Sequence, residues 1–118
     1  MEITALAVAL LALAVALAAV GLAGIAERLP CNRWIGLRAA AVRANDDTWR
    51  AGHHAAGGTL IAAAGPPLLL GIALIARPPA QIEDWFLAYA VVGVVTGGLI
   101  AMATRQAERA VEAPEDPR

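Results

Sequence analysis

The chain has 118 residues, of which 59% are hydrophobic and 16% charged, and its mean hydropathy is +0.63. A soluble domain of this size carries about 25% charged residues and exposes much of its surface, so the composition excludes an ordinary soluble domain as well as an intrinsically disordered chain. The net charge of -1 and the single cysteine argue against a nucleic-acid-binding surface, an internal disulfide and a zinc site, and they favour an integral membrane protein.

Three apolar blocks without charged side chains predict an all-α fold, a transmembrane three-helix bundle. We expect the spans at about 3–26, 54–76 and 85–104, because a helix needs about 20 apolar residues to cross the hydrocarbon core. The first block lacks the positively charged start of a signal peptide, and its apolar run exceeds the usual length of about 7–15 residues. We therefore expect it to be an uncleaved anchor.

Arginines predict how the chain lies in the membrane. Five of them fall in the loop at 27–53 and three in the tail at 105–118, whereas the opposite side has only Arg77. Because positively charged loops stay inside, we expect the N-terminus outside and the loop and C-terminus in the cytoplasm of a bacterial plasma membrane. The tail is polar and rich in proline, and we expect it to be disordered.

Small residues and prolines in the spans suggest how the helices pack. Gly93 and Gly97 lie on one face of the third span, which is typical of a helix–helix contact within the chain or in a homo-oligomer, although such spacing is also common in any span rich in glycine and alanine. Pro66 and Pro67 predict a kink or a broken turn in the second span. The freed carbonyls would be satisfied by neighbouring helices or would line a small polar cavity.

The first loop carries most of the sequence information. Asn45 is a good N-cap, so we expect a helix that starts at Asp46 and runs without interruption into the second span. Trp49, His53 and Gly57 are spaced by four and would share one face of that helix. Gly36 indicates a turn or a close backbone approach.

This loop resembles the SdpI family of bacterial membrane proteins. That family's pattern is approximately Asn-x-x-Ile-Gly-(Ile/Leu)-Arg-Thr-Pro, then Ser-(Asp/Glu)-Glu-x-Trp, then a His and a Gly on the same helix. The matching residues here are Asn32, Arg33, Ile35, Gly36, Arg38, Asp46, Asp47, Trp49, His53 and Gly57. The chain departs from the pattern where Thr-Pro is replaced by Ala39-Ala40, the Ser cap by Asn45, and the Arg after the motif His by His54.

The resemblance implies a membrane protein that gives immunity to a secreted peptide toxin, or senses it and sequesters a cytoplasmic repressor. Arg33 and Arg38 would then bind lipid phosphate, a partner carboxylate or the repressor, unless they only set the topology. The alternatives are an accessory or structural subunit of a membrane assembly, or a small transporter built as an oligomer. The expected partners are thus the lipid bilayer, a peptide toxin, a repressor protein and a second copy of the chain.

Catalysis, cofactor binding and direct nucleic-acid binding have no support in the residue pattern. No nucleophile–base arrangement, paired intramembrane carboxylates or phosphate-binding loop is recognisable. His53 and His54 are adjacent on a helix and point about 100° apart, so they would chelate a metal ion poorly. We expect no catalytic residue, cofactor or metal, and we do not expect this protein to be an enzyme.

Overall fold

The computed structural model describes residues 2–31 and 35–112. Two of the predicted motif residues, Asn32 and Arg33, and the end of the predicted tail at 113–118 lie outside the described residues.

Three long helices make up most of the described chain. Helix α1 spans Glu2–Ile25, α2 spans Asp46–Ala76, and α3 spans Phe86–Glu112 after a short 3₁₀ turn at Ile82–Trp85. All three are long and apolar enough to cross a membrane, and the described residues form no strand. The predicted all-α bundle of three spanning helices is therefore confirmed.

Helix α2 is the centre of the bundle. Both α1 and α3 pack along α2, and they hardly contact each other. One end of the molecule, here called the loop end, carries the segment 26–45, the start of α2 and the last turns of α3. The other end, here called the distal end, carries Glu2 and the segment 77–85. The bundle is elongated, with a longest dimension of 63 Å.

Glycines bring α1 and α2 into close contact near the loop end. A Cβ built on Gly21 would lie 2.7 Å from the carbonyl oxygen of Gly57, and one on Gly24 would lie 2.6 Å from that of His53. A Cβ on Gly57 would overlap Ile25 and would lie 2.6 Å from the carbonyl oxygen of Gly21. Backbone therefore meets backbone here, as small residues permit between helices in lipid.

Helix α1 ends in a compact turn that α2 completes. Glu27 adopts a left-handed φ of 58°, and the amide of Arg28 donates to the carbonyl of Ala23 at 2.8 Å, which is the hydrogen bond of a Schellman motif. The carbonyl of Ile25 lies 3.0 Å from Nδ1 of His54 on α2. One of the unpaired carbonyls at the end of α1 thus finds its partner on the neighbouring helix.

The paired prolines do not break the second span. Helix α2 is continuous through Pro66 and Pro67, so of the two expected outcomes the broken turn is wrong, and the kink stays a prediction. Pro67 is fully buried among its neighbours. Proline lacks only one donor and fixes φ near its helical value, so packing on both sides of α2 is sufficient to keep the helix intact.

Helix α3 extends further than the sequence pattern predicts. We expected a disordered tail from residue 105, but α3 continues to Glu112. The physical reason is that glycine and proline are missing between Leu99 and Glu112, and most of the residues there are good helix formers. The buried side chain of Ala107 also packs against the loop-end core and gives the helix a tertiary contact beyond the predicted span.

The glycine pair on α3 has no partner within the described chain. Gly93 and Gly97 are exposed, and a Cβ added to either would meet nothing within 4 Å. The helix contact within the chain that their spacing suggested is therefore not made at these positions. That this glycine pair contacts a second copy of the chain in a homo-oligomer stays a prediction.

Candidate functional site at the loop end

A capping box fixes the start of α2. The side-chain oxygen of Asn45 accepts from the amide of Thr48 at 2.9 Å, and the hydroxyl of Thr48 accepts from the amide of Asn45 at 3.1 Å. Thr48 Oγ1 also lies 3.0 Å from the carbonyl oxygen of Val42, to which it can donate. The predicted cap and the helix start at Asp46 are both confirmed, and the cap also holds the end of the loop.

Trp49 ties the start of the loop to α2. Its side chain is 1% exposed, and its indole Nε1–H donates to the carbonyl oxygen of Leu29 at 3.0 Å. Indole has one polar group, and burial of the ring is favourable only when that group is paired. The carbonyl of Leu29 is therefore held by Trp49, which lies one turn of α2 after the Asn45 cap.

His53 ties the middle of the loop to the same face of α2. Its ring is 1% exposed, and its Nε2 accepts a hydrogen bond from the amide of Leu37 at 2.9 Å. Its Nδ1 lies 2.8 Å from the carbonyl oxygen of Trp49 and must donate to it. One nitrogen that accepts and one that donates define a neutral ring with the proton on Nδ1. Both nitrogens are occupied, so this histidine has no free nitrogen for a metal ion or for acid–base chemistry.

Gly36 is the position at which the loop passes over these two rings. Its φ is +113°, and a Cβ there would lie 2.7 Å from both Nε2 of His53 and Cη2 of Trp49. The Trp49 and His53 rings are themselves in contact, with centroids 4.2 Å apart. Of the two alternatives predicted for Gly36, a turn or a close backbone approach, the close approach is confirmed. We call Gly36, Trp49 and His53 the latch.

A small apolar core joins the loop to α3 as well. Leu37 and Val42 from the loop are buried together with Ala103 and Ala107 of α3. A Cβ on Gly52 would lie 2.9 Å from Val42, so the loop rests directly on the α2 backbone. The sequence analysis did not identify Leu37 and Val42, although two aliphatic residues within an arginine-rich loop are a signal that the segment has a buried side.

The predicted site residues of the loop and of α2 divide into four groups. Gly36, Trp49 and His53 come together in the latch, whereas Gly57 lies one turn deeper at the crossing of α1 and α2. Ile35 is 53% exposed, and Arg38 is also exposed. Asn32 and Arg33 lie outside the described residues. The structure therefore separates a buried set that shapes the loop from an exposed set that faces outwards.

Arginine guanidinium groups cover the outside of the loop end. The exposed arginines of the described chain at this end are Arg28, Arg38, Arg43, Arg50, Arg105 and Arg109. A polar depression of about 370 Å³ opens beside Trp49, between Glu27 and Arg28 on one side and Asp46 and Arg50 on the other. Such a surface is suited to binding anionic groups or a protein with mixed charges.

The comparisons with known proteins agree with the loop motif. Residues 28–104 match the model of the SdpI/YfhL protein family, and this match covers more than half of the chain. Neither a search of curated proteins nor a search of solved structures gave a match. The matched region begins at the loop end and includes the latch, all of α2 and the apolar part of α3. The chain therefore belongs to the SdpI/YfhL protein family.

Proposed function

We propose that this chain is a membrane immunity protein that protects its host cell against a secreted peptide toxin and reports the toxin to a cytoplasmic repressor. The observation that carries the proposal is the family match over a region that contains the latched loop. In this proposal, the loop end faces the cytoplasm of a bacterial cell and the distal end faces the outside.

The latch supports a role for the loop as a preformed binding surface. Leu29 and Leu37 are fixed by hydrogen bonds to α2 on the two sides of the segment that carries the family motif. Because both anchors are buried or partly buried, the loop backbone is held at Leu29 and at Leu37 before any partner arrives. A preformed loop loses less conformational entropy on binding than a flexible one.

The contact of the loop with three helices supports the sensing part of the proposal. Leu37 and Val42 pack on α2 and α3, and the turn after α1 is held by His54 of α2. A change in the relative positions of the helices would therefore change the loop. A toxin that binds the spanning helices and a repressor that binds the loop would be coupled through these contacts.

A survival assay tests the immunity proposal. Sensitive bacteria that express the wild-type chain should survive a sibling-secreted peptide toxin at a concentration that kills cells with an empty vector. Gly36→Ala should reduce this protection, whereas Gly58→Ala should keep it, since a Cβ at Gly58 meets nothing within 4 Å. Membrane amounts of all variants are measured by immunoblot. Full protection by Gly36→Ala at wild-type amounts would contradict a role for the latched loop.

A localisation assay tests the sensing proposal. A fluorescent fusion of the cytoplasmic repressor should move to the membrane when toxin is added, and Arg38→Ala should reduce that movement without loss of membrane insertion. A repressor that stays in the cytoplasm in toxin-treated wild-type cells would contradict sequestration and would leave only the immunity part.

A further inference from the structure

An apolar groove runs along the bundle between α1 and α3, which hardly contact each other. Leu6, Leu10 and Leu13 of α1 form one wall, and the face of α3 from Phe86 to Ile100 forms the other. The groove has a volume of about 690 Å³, within the range of sites for small organic ligands. At about 1.5 Å per residue, the α3 wall is about 21 Å long, enough to hold an extended apolar chain.

Two hydroxyl groups in the groove wall have no partner. Thr96 is 6% exposed, and neither its Oγ1 nor the hydroxyl of Tyr89 has a hydrogen-bond partner among the residues that the structure describes. Both residues line the groove. A buried hydroxyl without a partner is costly, so a polar ligand group that reached either oxygen would be favourable.

The mouth of the groove is acidic. Glu83 lines the groove at the distal end, and it is the one charged residue of the lining. Glu2 lies one turn before Leu6 and thus on the same face of α1. The described residues of the distal end carry three carboxylates, those of Glu2, Glu83 and Asp84, against the single guanidinium of Arg77. A positively charged group at the mouth would complement this charge.

We propose that the groove binds a cationic amphiphile. Its apolar chain lies between α1 and α3, its ammonium or guanidinium group pairs with Glu83, and a hydrogen-bonding group along the chain meets Tyr89 or Thr96. Gly93 and Gly97 leave room for the apolar chain of the ligand, since a Cβ at either position would meet nothing within 4 Å. This proposal does not depend on toxin immunity, because the charged residue of the groove, Glu83, lies at the end of the molecule away from the latch.

Photolabelling of the full chain in zwitterionic lipid nanodiscs tests the proposal. The probe is an alkylammonium ion with a dodecyl chain that carries a diazirine, and the matched probe is the neutral alcohol with the same chain. Mass spectrometry should place the label of the ammonium probe on Tyr89 and Val92, which line the groove within about 14 Å of Glu83 along the helix, the reach of a dodecyl chain. The neutral alcohol should label these residues at least five-fold less, because it lacks the charge that Glu83 attracts.

Variants distinguish binding of the probe in the groove from general partitioning of the probe into lipid. Gly93→Leu should fill the groove and reduce labelling at least five-fold, whereas Gly98→Leu, an equally open position outside the groove lining, should leave it unchanged. Glu83→Gln should reduce labelling by the ammonium probe to the level of the alcohol, and Glu112→Gln at the loop end should not.

Equal labelling by both probes, or unchanged labelling in Gly93→Leu, would overturn the proposal. Cross-links between α3 helices of two copies, with the probe excluded, would also overturn it and assign the groove to a second copy of the chain.

Discussion

At the residue scale, the latch consists of three residues whose packing depends on one another. Gly36 must lack a Cβ because the two rings lie beneath it, and Trp49 and His53 can be buried because backbone atoms of the loop and of α2 satisfy their side-chain nitrogen atoms. Removal of either ring leaves a cavity beneath Gly36 and an unpaired backbone group on Leu29 or Leu37, and a Cβ on Gly36 clashes with both rings. We therefore expect substitutions in the latch to cost more stability than substitutions elsewhere in the loop.

Gly36→Ala tests the steric part of this account. The change places a Cβ 2.7 Å from His53 and Trp49 and imposes a φ of +113° that L-residues rarely adopt. We expect the free energy of unfolding to fall by about 1–3 kcal/mol. Gly58→Ala, in an open and exposed part of α2, should instead be neutral or stabilise by about 0.5–1 kcal/mol. Thermal unfolding in detergent measures both, and equal melting temperatures for the two variants would contradict the close approach at Gly36.

His53→Phe tests the hydrogen-bonding part of this account of the latch. The phenyl ring keeps the contact with Trp49 but removes the acceptor for the buried amide of Leu37, which we expect to cost about 1–3 kcal/mol. Hydrogen exchange at the Leu37 amide should become much faster, while exchange within the apolar part of α2 should not. In the wild type, the imidazole ¹⁵N shifts of His53 should show a neutral ring with its proton on Nδ1. A ring with the proton on Nε2 would contradict the hydrogen bond from Leu37.

At the element scale, the sequence was sufficient for the number and type of helices but insufficient for their pairing. Long apolar blocks predict three helices, and Asn45 predicts the start of α2, because these signals are local. The choice of packing face is not local. Gly93 and Gly97 have the favoured spacing but are exposed, whereas Gly21, Gly24 and Gly57 make the closest crossing. Small residues recur throughout these helices, so spacing alone cannot distinguish the faces.

The same limit explains what could be predicted of the site. The positions of Trp49 and His53 on one face follow from helix periodicity, and the close approach at Gly36 follows from its residue type. The hydrogen bonds of Trp49 to Leu29 and of His53 to Leu37 join residues that are 20 and 16 positions apart. They depend on the path of the loop, which no pattern in the sequence specifies.

Gly57→Leu tests the crossing of α1 and α2. A side chain at this position would enter the space of Ile25 and of the Gly21 carbonyl, and a backbone oxygen cannot move aside as a flexible side chain can. We expect a loss of about 1–3 kcal/mol or more in the free energy of unfolding. Gly58→Leu, one residue further along α2, adds the same side chain in open space and serves as the matched control. Equal stability of the two variants in thermal unfolding would rule out the proposed crossing.

At the scale of the whole molecule, the two ends differ in charge and in structure. Arginines and the latch occupy the loop end, whereas carboxylates outnumber the single arginine among the described residues of the distal end. The near-zero net charge of the chain hides this difference. Because positive charge favours the cytoplasmic side, the difference predicts the orientation on which the immunity and sensing proposal depends.

The single cysteine provides the most direct measurement of this orientation. Cys31 lies in the loop and is exposed, so a membrane-impermeant maleimide can report on it without any added label site. We predict that Cys31 is unlabelled in intact bacterial cells and labelled in inverted membrane vesicles. As a control, Ala80→Cys combined with Cys31→Ala, which moves the thiol to an exposed position at the distal end, should show the opposite pattern. Labelling of Cys31 in intact cells would place the latched loop outside the cell and would contradict the proposed function.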